Sequence, residues 1–297
     1  MNLIKRLNKA LDYIEANLLG DISTDDVARE ANVSVYHFNG MFFILTDISL
    51  KEYIRRRRLS LAAYDLQMGD KVIDVAYKYG YGTPDAFSRA FVNLHGVNPS
   101  AAKKSNVRLK SYPKMSFQIQ IKGDVEMNYK ITKKDAFTMY GIERIISKVE
   151  GENYQTIPQF WQDVMNDGSF EKLRKSTNVV TSIEDPGIAN VNAVMCYGKE
   201  NADSFPYLIA AFETKDSKSE GFAKVEIGSY TWAIFRTEDH KPNETVEKIQ
   251  ELWRRVFSEW LPSSNYTIID GPNLELYGRT SRDAEYSEVW LPVEVAK

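Results

Sequence analysis

Apolar residues in the first third of the chain recur every three or four positions, the spacing of a helix that buries one face. Leu3, Ile4, Leu7, Leu11, Ile14 and Leu18 form such a stripe and predict a helix over 3–18. Ser23 or Thr24 suits the cap of a second helix ending at Ala31, with Asp25 and Asp26 at its positive end. Ser34 caps a third, Val35–Leu45, with Phe38, Phe42 and Leu45 inward and Tyr36, Asn39, Gly40 and Phe43 on the opposite stripe. Residues 49–68 predict a long helix with Tyr53, Ile54, Leu61 and Leu66 among its buried positions. Thr83 and Pro84 open another, Pro84–Asn93, with Phe87 and Phe91 inward and Asp85, Ser88 and Arg89 outward.

Beyond residue 111 the period falls from about 3.6 to 2. Phe117, Ile119 and Ile121 alternate, as do Val125, Met127 and Tyr129, and Gly123-Asp124 between them suits a two-residue type II′ turn. Strands are expected over 135–146, 193–197, 206–212, 222–227, 230–236, 273–277 and 287–293, with helices from Pro158 and across Glu244–Trp260. The order strand, strand, helix, strand, strand occurs twice. Helices on one face of a largely antiparallel sheet make this an α+β domain with an internal pseudo-repeat. The chain reads as multidomain: an all-α domain over 1–108 and an α+β domain over 111–297.

A second repeat lies inside the helical part. Residues 26–42, DVAREANVSVYHFNGMF, and 74–91, DVAYKYGYGTPDAFSRAF, share Asp-Val-Ala and a Phe-x-x-x-Phe pair. Each copy has a short helix, a tight turn and a second helix, the layout of a helix-turn-helix that inserts one helix into the DNA major groove. The intervening helix of about twenty residues spans roughly 30 Å, close to the ~34 Å between successive major-groove faces.

Charge supports that division. The chain carries a net −3, but residues 1–108 hold 15 Lys+Arg against 12 Asp+Glu, and the remainder 23 against 29. The acidic half masks a mildly basic one. The single cysteine, Cys196, excludes an internal disulfide and points to a reducing cytoplasm. Three scattered histidines, His37, His95 and His240, give no metal-ligand pattern, and no apolar run is long enough to cross a bilayer. No metal, cofactor or membrane partner is expected. Arg89 is the first candidate for a base or phosphate contact, joined by Thr83, Asp85 and Ser88 and by Tyr36 and Asn39 of the first copy. Arg55 to Arg58 fan around their helix, so only one or two reach a phosphate, with Arg55 and Arg57 as candidates. In the acidic half, Glu288 and Trp290 share a strand face. Glu288 is either an edge residue in water or a charge reserved for a cationic or hydrogen-bonding ligand.

The segments AREANVSVYHFNGMF, YIRRRRL and IDVAYKYGYGTPDAFSRAFVNLHGVNPSA resemble the AraC/XylS family of bacterial transcription regulators. That resemblance implies a monomeric surface with two recognition helices on double-stranded DNA. It also exposes a departure, because Gly40 and Phe43 stand where the family carries Arg and Lys. DNA binding is therefore expected to lean on the second copy and the arginine helix. The segments VEMNYKITKKDAFTMYGIE, IPQFWQDV, GSYTWAIFRTE, EWLPSSNYTI, LELYG and SEVWLPV resemble the GyrI-like effector-binding domain. That family implies a small-molecule effector, flat or cationic, held between two halves. Its acidic residue falls on Glu288 and its helix aromatic on Trp161, with Tyr140, Tyr197, Trp253 and Trp290 as further lining. Together the resemblances imply a cytoplasmic transcription regulator, an activator, with RNA polymerase as a further partner. The alternatives are a GyrI-like hydrolase, with Glu288 as base beside Tyr140 or Tyr197, and a ligand-sequestering protein.

Overall fold

The computed structural model describes residues 3–104, 106–118, 126–147, 153–179, 187–197 and 204–296, with Tyr36 and Tyr154 by main chain alone. The chain divides into two compact units, Met1–Gln118 and Ile119–Lys297.

The first unit is helical: α1 (Leu3–Ala16), α2 (Thr24–Ala31), α3 (Val35–Thr46), α4 (Leu50–Gln67), α5 (Val72–Lys78), α6 (Pro84–His95) and the single turn α7 (Pro99–Ala102). Capping fixes where four of these begin. Hydroxyls of Ser23, Ser34, Ser49 and Thr83 accept from the main-chain N–H groups of Asp25, His37, Glu52 and Ala86 at 3.1–3.3 Å. The Phe pairs of the repeat are the core of each copy, with Phe38, Phe42, Phe87 and Phe91 fully buried. Each such ring contributes about 2 kcal/mol of burial. Ile54, Leu61 and Leu45 turn out only half-buried, and Leu59 is fully buried in their stead.

The expected domain boundary moves. Residues 111–118 belong to the helical unit, because Arg57 donates to Tyr112 O at 2.5 Å and Tyr112 N–H donates to Ser60 Oγ at 2.9 Å. Asn8 then brackets Phe117 with two bonds of 2.8 Å. An extended segment without its own hydrogen-bond ladder must find partners, and here helix side chains supply them. The expected turn at Gly123-Asp124 lies outside the described residues.

The second unit runs β1 (Asn128–Lys134), β2 (Phe137–Ser147), α8 (Asn153–Asn166), α9 (Ser169–Ser176), β3 (Gly187–Ile188), β4 (Asn192–Met195), β5 (Ser204–Phe212), β6 (Ala223–Ile227), β7 (Tyr230–Arg236), α10 (Thr245–Arg255), β8 (Tyr266–Ile268), β9 (Asn273–Ser281) and β10 (Ala284–Val295). The expected helix across Glu244–Trp260 ends at Arg255 and continues as a π-helical turn, Val256–Trp260, which buries Val256, Phe257 and Trp260. Strand order is β1-β7-β10-β9-β4-β5-β2-β6, with β3 and β8 flanking. This order is the same read from either end once β6, β7, β9 and β10 are equated with β1, β2, β4 and β5. The repeat seen in the sequence is thus a pseudo-two-fold, and its two halves meet at the β4–β9 pair. Strands β6 and β7 are joined by two residues yet lie near opposite ends of the order, so the sheet curls on itself. Phe137 of β2 reaches Trp232 of β7 at 6.4 Å across the inside of that curl. Gly141 permits the bend, since a Cβ there would stand 1.9 Å from Ile209 O.

Candidate functional site

In the helical unit, α6 carries the expected outward stripe. Arg89 and Asp85 are exposed and Ser88 half-exposed, while Phe87 and Phe91 anchor the opposite face. Arg89 has no ion-pair partner among the described residues. Thr83 is committed to capping through Ala86 N–H. On α3, Asn39 and Gly40 are half-exposed, and a Cβ on Gly40 would meet open space. The Tyr36 side chain lies outside the described atoms.

The arginine run departs from expectation. Arg57 is 12% exposed and chelates Glu15 at 2.7 and 2.8 Å while donating to Tyr112 O. It ties α4 to α1 and is withdrawn from any phosphate. Arg58 donates to Leu18 O at 2.7 Å and Gly20 O at 2.5 Å, the carbonyls that follow α1. Arg55 and Arg56 share Glu52 at 2.7 and 2.5 Å. Burial alone raises the Glu52 carboxyl, but the hydrogen bonds from Arg55 and Arg56 outweigh it and leave the group below its ordinary value. Lys51, Arg55 and Arg58 line a cavity of about 380 Å³ with Tyr79, Gly80 and Tyr81 of the turn between α5 and α6. Of the two run candidates, Arg55 keeps a face toward solvent and Arg57 does not.

In the α+β unit, register sorts the six expected pocket residues into two groups. Along a strand alternate residues face opposite ways, and paired residues face the same way. The pairings Ala193↔Glu275, Met195↔Asn273, Met195↔Tyr207 and Ser287↔Tyr277 place Tyr207, Asn273, Glu275, Tyr277 and Ser287 on one face. That face meets the helices, because Trp161 of α8 and Trp253 of α10 bond to it. Trp161 Nε1–H donates to Tyr207 Oη at 3.0 Å, and its ring stands edge-on to Tyr277 at 5.7 Å. Tyr277 Oη–H donates to Glu275 Oε2 at 3.0 Å, and Trp253 Nε1–H donates to Glu275 Oε1 at 2.7 Å. The Tyr207 and Tyr277 hydroxyls are themselves in contact. The result is one polar chain from α8 through β5 and β9 to α10, with Glu275 in the strand pair where the repeats join. Glu275 is hemmed in by protein and still partly reachable by solvent. Burial pushes its carboxyl up, and the bonds from Trp253 and Tyr277 offset only part of the rise.

Glu288 and Trp290 lie on the opposite, inner face with Trp232, Leu274 and Leu276. There Trp290 Nε1–H donates to Glu288 Oε2 at 2.8 Å, and Glu288 is 7% exposed. Glu288 is thus no edge residue in water: it is buried and hydrogen-bonded to Trp290. Tyr197 packs on the same inner cluster and donates to Glu143 at 2.7 Å. Tyr140 faces the helices but bonds to Ser176 of α9 at 3.0 Å. The six residues therefore fall on two faces of the sheet, with Tyr140 on the face opposite Glu288 and Tyr197 on the inner face with it. Sequence reading missed Glu275, Tyr277 and Tyr207. The signal was the alternation in NLELYG, which sets Glu275 and Tyr277 on one face.

Residues 27–105 match a family model described as a helix-turn-helix domain, and residues 130–293 one described as an integron-associated effector binding protein. The HTH-type transcriptional activator AarP of Providencia stuartii is 35% identical over 101 residues, covering 34% of this chain and 75% of AarP. The chain belongs to the AraC-type regulators that carry an effector-binding domain. The transcriptional regulator Rob of Salmonella typhimurium is 32% identical over 97 residues, 32% of this chain and 34% of Rob. A solved structure of SAV2435 bound to tetraphenylphosphonium shares 20% identity, covers 57% of this chain and 94% of its own, and has a TM-score of 0.42. The regulator divides its work accordingly: DNA recognition belongs to the helical unit and small-molecule binding to the α+β unit. Both family resemblances read from the sequence hold. Among the described residues no helix is long and apolar enough to cross a membrane.

Proposed function

We propose that this regulator reads DNA chiefly through α6, with Arg89 at the base edges and Asp85 and Ser88 beside it, and that α3 contributes weakly. Arg55 steadies the duplex as a phosphate contact from the rim of the Lys51–Arg58 cavity. The effector site is the cleft floored by Glu275, and the effector is an aromatic cation. The regulator acts in the cytoplasm as an activator that engages RNA polymerase.

One observation carries the effector reading: a carboxylate largely stripped of water and walled by Trp161, Trp253 and Tyr277. Its two donors are neutral, so among the described residues its charge has no counter-ion. A cation supplies that counter-charge, and ring faces add about 0.5–2 kcal/mol each. Titrating aromatic cations against the Trp161 and Trp253 fluorescence tests it. Saturable quenching that is weakened by Glu275→Gln and untouched by Glu288→Gln is expected. Equal binding by Glu275→Gln and the parent protein would remove Glu275 from the site.

A further inference from the structure

Among the described residues, two buried oxygens on the sheet face that carries Glu275 lack a hydrogen-bond partner: Asn273 Oδ1 and Ser287 Oγ, in residues 2% and 0% exposed. A buried amide in this sheet is otherwise fully used. Asn192, also 0% exposed, accepts from Tyr277 N–H at 3.0 Å and donates to Ala189 O at 2.9 Å. Buried polar atoms left unmatched are costly, and a native fold retains few without cause.

Their position supplies a cause. Asn273 precedes Glu275 by two residues on β9, and Ser287 is the register partner of Tyr277, which holds Glu275 Oε2. All four share the face that α8 and α10 cover. Each Glu275 oxygen accepts one bond from the protein and keeps a lone pair. An amide oxygen only accepts, and a hydroxyl accepts as readily as it donates. This face therefore offers several acceptors around one negative charge. A tetra-substituted onium ion would neutralise the carboxylate but bring no hydrogen, leaving Asn273 and Ser287 as they are.

We infer that the effector is a cation bearing N–H groups, a protonated amine or amidinium on an aromatic body, and that Asn273 and Ser287 select it over fully alkylated cations. This rests on Glu275 being the effector site. The test uses a matched pair, biphenyl-4-ylmethylammonium and its N,N,N-trimethyl analogue, titrated calorimetrically into the full-length regulator at pH 7.5, where both are cationic.

The ammonium ligand should bind at least tenfold more tightly than the trimethylated one, because a site built to accept hydrogen bonds discriminates against an analogue that offers none. Ser287→Ala and Asn273→Leu should each weaken the ammonium ligand severalfold and leave the trimethylated ligand within twofold. Retained affinity for the latter also reports that the variant is folded, and the parent protein with Ser287→Ala suffices should Asn273→Leu fail to fold. Equal affinity for the two ligands, both weakened by Glu275→Gln, would overturn the selection by N–H groups and leave the effector site standing. Binding of neither ligand, or binding indifferent to Glu275→Gln, would overturn the site as well.

Discussion

Trp253 and Tyr277 each place one hydrogen on Glu275, and the pair offsets only part of the cost of burial, so the carboxyl stands above its ordinary value. A bound cation favours the ionised form. Affinity for a permanently cationic ligand is therefore full above the raised Glu275 value and falls as pH drops through it, with proton release on binding. Calorimetry in buffers of differing ionisation heat measures that proton directly, and a pH-independent affinity would contradict it. Removing the charge with Glu275→Gln should cost roughly 10- to 100-fold in affinity, the scale of about 1.5–3 kcal/mol for a charged hydrogen-bonding partner. On the DNA side, Arg89→Ala should cost about 1–3 kcal/mol and relax the base preference at one operator position. Fluorescence anisotropy on operator variants at fixed salt checks both effects.

Helix α3 and helix α4 hold opposite lessons about surface residues. Gly40 has open space where a side chain would go, so no packing demand keeps it a glycine. Gly40→Arg should raise helix stability by about 1 kcal/mol and strengthen DNA binding by adding a phosphate contact to the first reader. An unchanged or weaker affinity would show that α3 does not face the duplex as its stripe implies. The arginines of α4 look like a basic strip in sequence, but Arg57 and Arg58 brace α1 and the strap that follows α7. Arg57→Ala leaves the half-buried Glu15 with Tyr53 as its remaining donor and should cost about 1–3 kcal/mol of stability. For Glu15, burial acts to raise the carboxyl, and hydrogen bonds from Arg57 and Tyr53 outweigh it, so the net value is depressed. A depressed carboxyl contributes stability that is full above its unfolded value and is lost as pH falls through the folded one. Urea melts of the helical unit between pH 6 and pH 3 should show that loss, and Glu15→Gln should flatten it.

At the scale of the whole chain, regulation by the effector requires that the two binding events be coupled. If the effector changes DNA affinity by some factor, DNA must change effector affinity by the same factor. The expected outcome is a shift in anisotropy-measured DNA affinity on adding the matched ammonium ligand, mirrored in the ligand isotherm when operator DNA is present. Identical isotherms with and without DNA would mean that the ligand does not act through DNA binding. The pseudo-two-fold of the α+β unit puts the Glu275 cluster at its centre, since one helix from each repeat, through Trp161 and Trp253, bonds to the same sheet face.

The sequence alone determined the elements and the family, because both rest on local quantities. Helical and strand periods, capping hydroxyls and the Asp-Val-Ala and Phe pairs depend on neighbours within a few residues. The stripe carrying Asp85, Ser88 and Arg89 could be read for the same reason. Which polar residues share a cleft depended on strand register and on which face the helices cover, and those were decided by contacts far apart along the chain. Glu275 and Glu288 each sit two residues from an aromatic partner on a strand, and nothing local separates them. The antiparallel pairing turned Glu275 toward the helices and Glu288 into the inner core. Likewise, Arg55 and Arg57 were equal candidates until the packing of α1 and of segment 111–118 against α4 committed Arg57 to a carboxylate and a carbonyl.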